Sequence, residues 1–225
     1  IKYIKIRTSA FNLKQQFPDT IQVGMPIRSQ LLQLLNNQYK PVSHSGLFTL
    51  LILGGSQGSS LLSYRLAKAI IKLPIRIRKK IIIFHQVRQE HLLNVKILYD
   101  NNNIKSNVVS FFKDMKNYLN KASLIVSRAG SSTIHENVIA GVPAIYFPIK
   151  NSVGNHQYEN ALVLKNNNAA WILKEEDIDN GFFNKSLSQI IYKPDLLKNF
   201  SSNNRRLKKP LAAEKLKKLI LSLKD

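Results

Sequence analysis

Cysteine is absent, which excludes disulfides and cysteine-ligated metals and is compatible with a reducing compartment. Acidic residues are few: 13 Asp and Glu stand against 34 Lys and Arg, for a formal charge of +21. No apolar run approaches the ~20 residues that cross a bilayer. The longest, Gly46 to Gly55, has the length of a strand. There is no Gly-Lys-Ser/Thr phosphate loop, no dinucleotide-type glycine spacing and no Gly-x-Ser-x-Gly elbow, so those nucleotide and hydrolase classes leave no signature. His44, His85, His91, His135 and His156 are scattered without ligand spacing. No metal or cofactor is expected, and each histidine is read as structural or exposed.

What is present is an ordinary globular composition: 225 residues, 44% hydrophobic and 21% charged. That is enough to bury a core and too apolar for disorder. The excess positive charge points to a polyanionic partner: nucleic acid, an anionic membrane face or a phosphorylated ligand. The Lys and Arg are spread along the chain, however, and match no nucleic-acid-binding motif. Clusters such as Asn101-Asn102-Asn103 and Asn166-Asn167-Asn168, with abundant Lys and Ile, indicate compositional drift that places Lys on solvated faces. The chain starts at Ile1, without methionine or a signal-peptide pattern, and is read as a fragment.

Hydrophobic patterning gives the architecture. Strands are expected at Ile21–Val23, Leu47–Leu53, Ile81–His85, Asn107–Phe111, Leu124–Ser127, Ala144–Phe147 and Ala169–Ile172. The run Leu47-Phe48-Thr49-Leu50-Leu51-Ile52-Leu53 is apolar enough to be buried on both faces. Helical spacing is expected over Ser29–Asn36, Ser59–Leu73, Gln89–Asp100, Met115–Asn120, Ser132–Ala140, Asn155–Asn167, Phe182–Ile191 and Leu211–Leu223. Strands alternating with helices predict an α/β, Rossmann-like doubly wound parallel sheet. Ligands of such sheets bind beyond the carboxyl ends of the strands, and the Gly-rich breaks fall there.

Three segments could carry chemistry. Gly54-Gly55-Ser56-Gln57-Gly58 joins a buried strand to a helix, as a phosphate-approaching turn or as a plain tight βα turn. Arg128-Ala129-Gly130-Ser131-Ser132-Thr133 with Glu136 offers hydroxyls, first-turn amides and a carboxylate able to take both hydroxyls of a ribose; it also fits a simple helix cap. Gln157 and Asn160, three apart on one helix face, could bind sugar hydroxyls or merely start a polar helix.

Together these motifs resemble the donor-binding half of the MurG family, the bacterial UDP-N-acetylglucosamine transferases that convert lipid I to lipid II. The residues that carry the resemblance are Gly24-Met25-Pro26-Ile27-Arg28, Gly54-Gly55-Ser56-Gln57-Gly58, Ser127-Arg128-Ala129-Gly130, Glu136, Gly141-Val142-Pro143-Ala144, and His156-Gln157 with Asn160-Ala161. It implies a GT-B donor domain at residues 23–208, an acceptor-domain remnant at 1–22, and a C-terminal helix at 209–225 that packs back toward an acceptor domain largely missing from this chain. The implied activity is that of a hexosyltransferase: inverting transfer of GlcNAc in peptidoglycan synthesis, and so in cell wall biogenesis, cell shape, cell cycle and division.

The resemblance also implies residue roles. Arg28 lies near the nucleotide, and Ser56 contacts the diphosphate, with Gly54, Gly55, Gly58 and Gly130 shaping the loops. The backbone of Phe112 reads uracil. Ser131, Ser132, Thr133 and Ile134 present the helix N-terminus to the diphosphate. Glu136 holds the ribose, and Gln157 and Asn160 hold the GlcNAc hydroxyls. No catalytic base or metal is implied within this chain. Implied partners are UDP-GlcNAc, lipid I through the missing domain, and an anionic membrane surface at the cytoplasmic face of the inner membrane, with no nucleic acid. His135 and Asn137 depart from the small or apolar residues common around the Glu. The competing readings are a basic nucleic-acid-binding module without catalysis and another UDP-sugar enzyme of the same architecture. The stripe Leu216, Leu219, Ile220 and Leu223 beside Lys215, Lys217 and Lys218 is expected to pack on the body rather than on a membrane.

Overall fold

The computed structural model describes residues 6–7, 21–42, 46–54, 59, 61–150 and 155–222. Two short strands, β1 (Ile6–Arg7) and β2 (Ile21–Gln22), pair in parallel apart from the main sheet, and α1 (Ser29–Leu32) follows. β3 (Phe48–Leu53) is buried along its whole length. A π-helical turn, Leu61–Arg65, opens α2 (Leu66–Ile70), which α3 (Ile75–Arg78) follows. Next come β4 (Ile81–Gln86), a 3-10 turn at Gln89–His91, α4 (Leu92–Asp100), β5 (Lys105–Val109) and α5 (Met115–Lys121). β6 (Leu124–Ser127), α6 (Ser131–Ala140), β7 (Ala144–Tyr146), α7 (His156–Asn166) and β8 (Ala170–Ile172) complete the sheet layers. Four helices end the described chain: α8 (Glu176–Asp179), α9 (Phe182–Ile190), α10 (Pro194–Arg206) and α11 (Ala212–Leu221).

The main sheet is parallel, in the order β5-β4-β3-β6-β7-β8. The alternation of side chains explains why β3 can be apolar throughout. Leu50 and Ile52 enter one core with Leu62, Leu66 and Ile70, Val95 and Tyr99, and Phe183 and Leu187. Leu51 and Leu53 enter the other with Leu119, Ile134 and Val138, and Ala161 and Leu164. The chain runs outward from β3 to β4 and β5, then returns to lay β6 against the other side of β3. That reversal makes the β3/β6 junction the switch point where doubly wound sheets bind ligands.

Several expectations shift in detail. The third strand of the sheet was expected at Asn107–Phe111 but spans Lys105–Val109, at the sheet edge, where exposed Lys105 and Asn107 are tolerated. Ser110 to Phe112 is thereby freed as loop. α10 was not expected. Its Pro194 stands at the helix start, where a missing N–H costs nothing, and its buried Asn204 donates through Nδ2 to the Ala169 carbonyl at 2.8 Å. Along α11, Ala212 is buried, Leu216 and Leu219 are half-buried and Ile220 is exposed, so the stripe is only partly covered. Leu223 lies outside the described residues.

Three approaches tie residues 24–37 to residues 205–212. Gly24 has φ +90°, and a Cβ there would lie 3.2 Å from the side chains of Ala212 and Lys209. Only glycine satisfies both that backbone and that approach. Arg205 donates to the Asn37 carbonyl, and Lys208 Nζ to the Leu35 carbonyl at 2.8 Å. Burial, with Arg205 nearby, lowers the Lys208 pKa to about 8.

Ile52 is fully buried in the central strand. Ile52→Ala is expected to lower stability by about 2–5 kcal/mol in urea unfolding. His85, also fully buried, has its pKa lowered to about 4 by desolvation. In the unfolded chain it takes up a proton below its ordinary value, whereas in the folded chain it stays neutral until about pH 4. Stability is therefore present above pH ~6.5 and is lost as pH falls toward the folded value. The wild type should lose roughly 1 kcal/mol per pH unit across that window relative to His85→Gln.

Candidate functional site

The switch point brings two loops together. Leu53 pairs in register with Ser127, so the chain leaves β3 at buried Gly54 beside the point where it leaves β6. Residues 55–58, which include Gly55, Ser56 and Gly58, lie outside the described residues. After β6, Arg128 fastens the carboxyl edge: its guanidinium donates to the Phe147 carbonyl at 3.0 Å and pairs with Glu175 at 2.7 Å. This joins the ends of β6, β7 and β8.

Gly130 is extended, with ψ 143°, and sits at the N-cap of α6, where no side chain caps the helix. No acidic residue occupies its first turn. The amides of Ser131 to Thr133 therefore present the positive end of the helix dipole without an internal acceptor from a side chain. Ile134 turns inward into the second core. The departures noted at His135 and Asn137 are accommodated by hydrogen bonds. His135 Nδ1 donates to the Ser131 carbonyl at 2.7 Å, and Asn137 Nδ2 donates to the buried Tyr146 hydroxyl at 3.1 Å.

Glu136 follows one turn into α6 and is clamped by Arg28. Arg28 Nε meets one carboxylate oxygen at 3.0 Å and Nη2 the other at 2.9 Å. The two residues are 108 positions apart. Arg28 is placed by the turn after Gly24 and by Ile27, which packs on the second core. Phe112 belongs to that same core, its ring buried 4.2 Å from that of Tyr118. Its outward face is therefore backbone, while Phe111 is exposed.

α7 completes the edge. Gln157 Oε1 accepts from the Ile149 N–H at 3.1 Å, and Asn160 Nδ2 donates to the Ala129 carbonyl at 3.4 Å. These partners fix both amide orientations. Gln157 keeps its N–H₂ as a donor and Asn160 keeps its oxygen as an acceptor. A cavity of about 450 Å³ opens beside Ile149, the backbone partner of Gln157, and is lined by Pro148, Ile149, Tyr158, Leu173 and Glu176 among others.

The structure thus gathers Arg28, Gly54, Phe112, Gly130 to Ile134, Glu136, Gln157 and Asn160 at one edge of the sheet. The Arg28–Glu136 and Arg128–Glu175 pairs were not foreseen, because no spacing rule links residues so far apart in sequence. Among the described residues, no cluster of three His, Asp or Glu could hold a metal, and no helix is long and apolar enough to cross a membrane.

A doubly wound parallel sheet with its polar groups at the switch point defines a Rossmann-like α/β domain. The chain belongs to the glycosyltransferase family 28 C-terminal domain family, whose profile matches residues 49–218. It is 33% identical over 92% of its length to a Paramagnetospirillum magneticum protein named UDP-N-acetylglucosamine–N-acetylmuramyl-(pentapeptide) pyrophosphoryl-undecaprenol N-acetylglucosamine transferase, covering 56% of that protein. The protein of the same name from Zymomonas mobilis is 32% identical, with 92% of this chain and 54% of that protein covered. The crystal structure of Acinetobacter baumannii MurG matches with a TM-score of 0.74 at 28% identity, covering 84% of this chain and 55% of that one. The chain therefore spans about half the length of these relatives.

The Arg28–Glu136 pair is partly solvated, with Arg28 half exposed. A double-mutant cycle of Arg28→Ala and Glu136→Ala is expected to give a coupling below about 1 kcal/mol in folding stability. Both variants should remain folded and usable for binding measurements.

Proposed function

We propose that the chain is the donor-binding half of an inverting, UDP-GlcNAc-dependent hexosyltransferase that passes GlcNAc to lipid I, giving lipid II in peptidoglycan synthesis. One observation carries this reading: the uncapped start of α6 at the switch point, with a clamped carboxylate one turn along. The names of the relatives and the family profile support it. Residues 23–208 form the donor domain, residues 1–22 belong to an acceptor domain, and residues 209–225 pack back toward it.

In this reading the diphosphate lies against the amides and hydroxyls of Ser131, Ser132 and Thr133, and Ser56 is assigned to it as well. Glu136 accepts from the ribose 2′- and 3′-hydroxyls through the lone pairs that Arg28 leaves free. The Phe112 backbone meets the uracil edge. Gln157 donates to one GlcNAc hydroxyl and Asn160 accepts from another, which fixes the sugar's orientation. The acceptor hydroxyl then attacks the anomeric carbon from the face opposite UDP, and the bond to the diphosphate oxygen breaks. The charge that grows on UDP is stabilised by the helix terminus. The proton passes to a base in the part of the relatives that this chain does not cover. That part also binds the lipid-linked acceptor, at the cytoplasmic face of the inner membrane, where the assembled enzyme is peripheral and contributes to cell shape and division.

Calorimetry with the 225-residue chain tests the donor half. UDP-GlcNAc should bind, and Glu136→Ala and Gln157→Ala should each weaken binding by about 1–3 kcal/mol through a lost buried hydrogen bond. Glu136→Ala should also abolish the preference for UDP over 2′-deoxy-UDP. Equal affinity for ADP-glucose, or wild-type affinity in both variants, would overturn the assignment.

A further inference from the structure

We propose that Arg128 is a positioning residue for the donor sugar, setting the orientation of both amides assigned to GlcNAc; this rests on the donor-site reading above. Arg128 is the first residue past β6, and its side chain is mostly buried. It reaches across to the end of β7. There the Phe147 N–H donates to the Ser127 carbonyl at 2.9 Å, continuing the ladder between the two strands. The next residue is Pro148, which has no N–H and a fixed φ. Phe147 is completely buried, so its carbonyl needs a partner. Arg128 Nη1 supplies one at 3.0 Å, while Nη2 is held by Glu175 at 2.7 Å, just before α8.

This grip lies next to both sugar-reading amides. From the Phe147 carbonyl the chain passes through one rigid residue, Pro148, to the Ile149 N–H, which donates to Gln157 Oε1 at 3.1 Å. From Arg128 itself the chain passes directly to Ala129, whose carbonyl accepts from Asn160 Nδ2 at 3.4 Å. One guanidinium therefore braces the segment that orients Gln157 against the segment that orients Asn160. The groups left for the sugar, the Gln157 N–H₂ and the Asn160 oxygen, turn with those two bonds. Hydrogen bonds weaken steeply with angle and distance, so a sugar held by both amides is sensitive to the brace. A packing role alone would be served by an apolar stem. The planar fork of Arg instead meets a carbonyl and a carboxylate at once, which a single ammonium on a flexible stem does not reproduce. Uracil, ribose and diphosphate are assigned to Phe112, Glu136 and the start of α6, so two donors that differ only in the sugar separate its contribution from theirs.

The experiment measures the affinities of UDP-GlcNAc and of UDP-GalNAc, its epimer at the sugar C4, for the wild-type chain, Arg128→Met, Arg128→Lys and Glu175→Ala, with melting curves to confirm folding. The wild type should prefer UDP-GlcNAc. Arg128→Met, which keeps an apolar stem but removes the donor to the Phe147 carbonyl, should lower that preference roughly tenfold. Arg128→Lys, whose amine can still reach the carbonyl, should recover part of it. Glu175→Ala, which frees one prong of the fork, should lower it about threefold, and it serves as the test should Arg128→Met not fold. An unchanged preference in folded Arg128→Met, or in Glu175→Ala, overturns the positioning role while leaving the donor site intact. A wild-type chain that binds the two epimers equally overturns the assignment of Gln157 and Asn160 to the sugar, and one that binds neither overturns the donor-site reading itself.

Discussion

The arrangement at the carboxyl edge depends on β3 being hydrogen-bonded on both sides, to β4 on one flank and β6 on the other. Neighbouring strands lie about 4.8 Å apart, so the exits from β3 and β6 are forced to share one crevice. The register that pairs Leu53 with Ser127 sets them at the same height. α6 must then start at the crevice, because Gly130 lies only three residues past Ser127. A slip of one residue would turn Leu50 and Ile52 out of their core and carry the loop after β6 away from Gly54.

Charge is handled unevenly across this molecule. The chain carries a large positive excess, yet the arginines nearest the crevice are paired with carboxylates, Arg28 with Glu136 and Arg128 with Glu175. Acidic residues are scarce, so their placement there has weight. Each pair fixes the direction of a side chain that would otherwise sample solvent. The Arg128 guanidinium, mostly buried and bonded to the Phe147 carbonyl as well, also stitches three strand ends together. Among the described residues the Lys side chains lie largely on solvated surface, as the compositional drift suggests.

Local rules carried the sequence reading far where structure is local. The unbroken apolar run of β3, the breaks at Gly54 and Gly130, and the helical stripe before Gly141 each follow from a single strand or helix, and the helix does stop at Gly141 in a left-handed conformation. Elsewhere tertiary context decides. β5 lies two residues earlier than its apolar centre suggests because an edge strand need not be apolar. α10 is rich in Asn and Ser, so its composition does not announce a helix, although Pro194 is a favoured first residue. At the candidate site, residues on one helix face, such as Gln157 and Asn160, could be grouped from spacing. The Arg28–Glu136 clamp could not, because it joins elements that meet only when the sheet is assembled.

The clasp between Gly24 and Ala212, and between residues 35–37 and Arg205 and Lys208, has a consequence for how the chain is made. Synthesis runs from the amino end, and early segments begin to fold before late ones exist. The segment that carries Arg28 leaves the ribosome well before the residues that clasp its neighbours, which follow Asn37 and Leu35 by 168 and 173 positions. Until then its docking rests on Leu31 and Leu34 in the second core and on the pair with Glu136. The edge that carries Arg28 is thus fully framed only once α10 and α11 have been made, and a chain cut short before Arg205 would keep the sheet strands while leaving that edge loose.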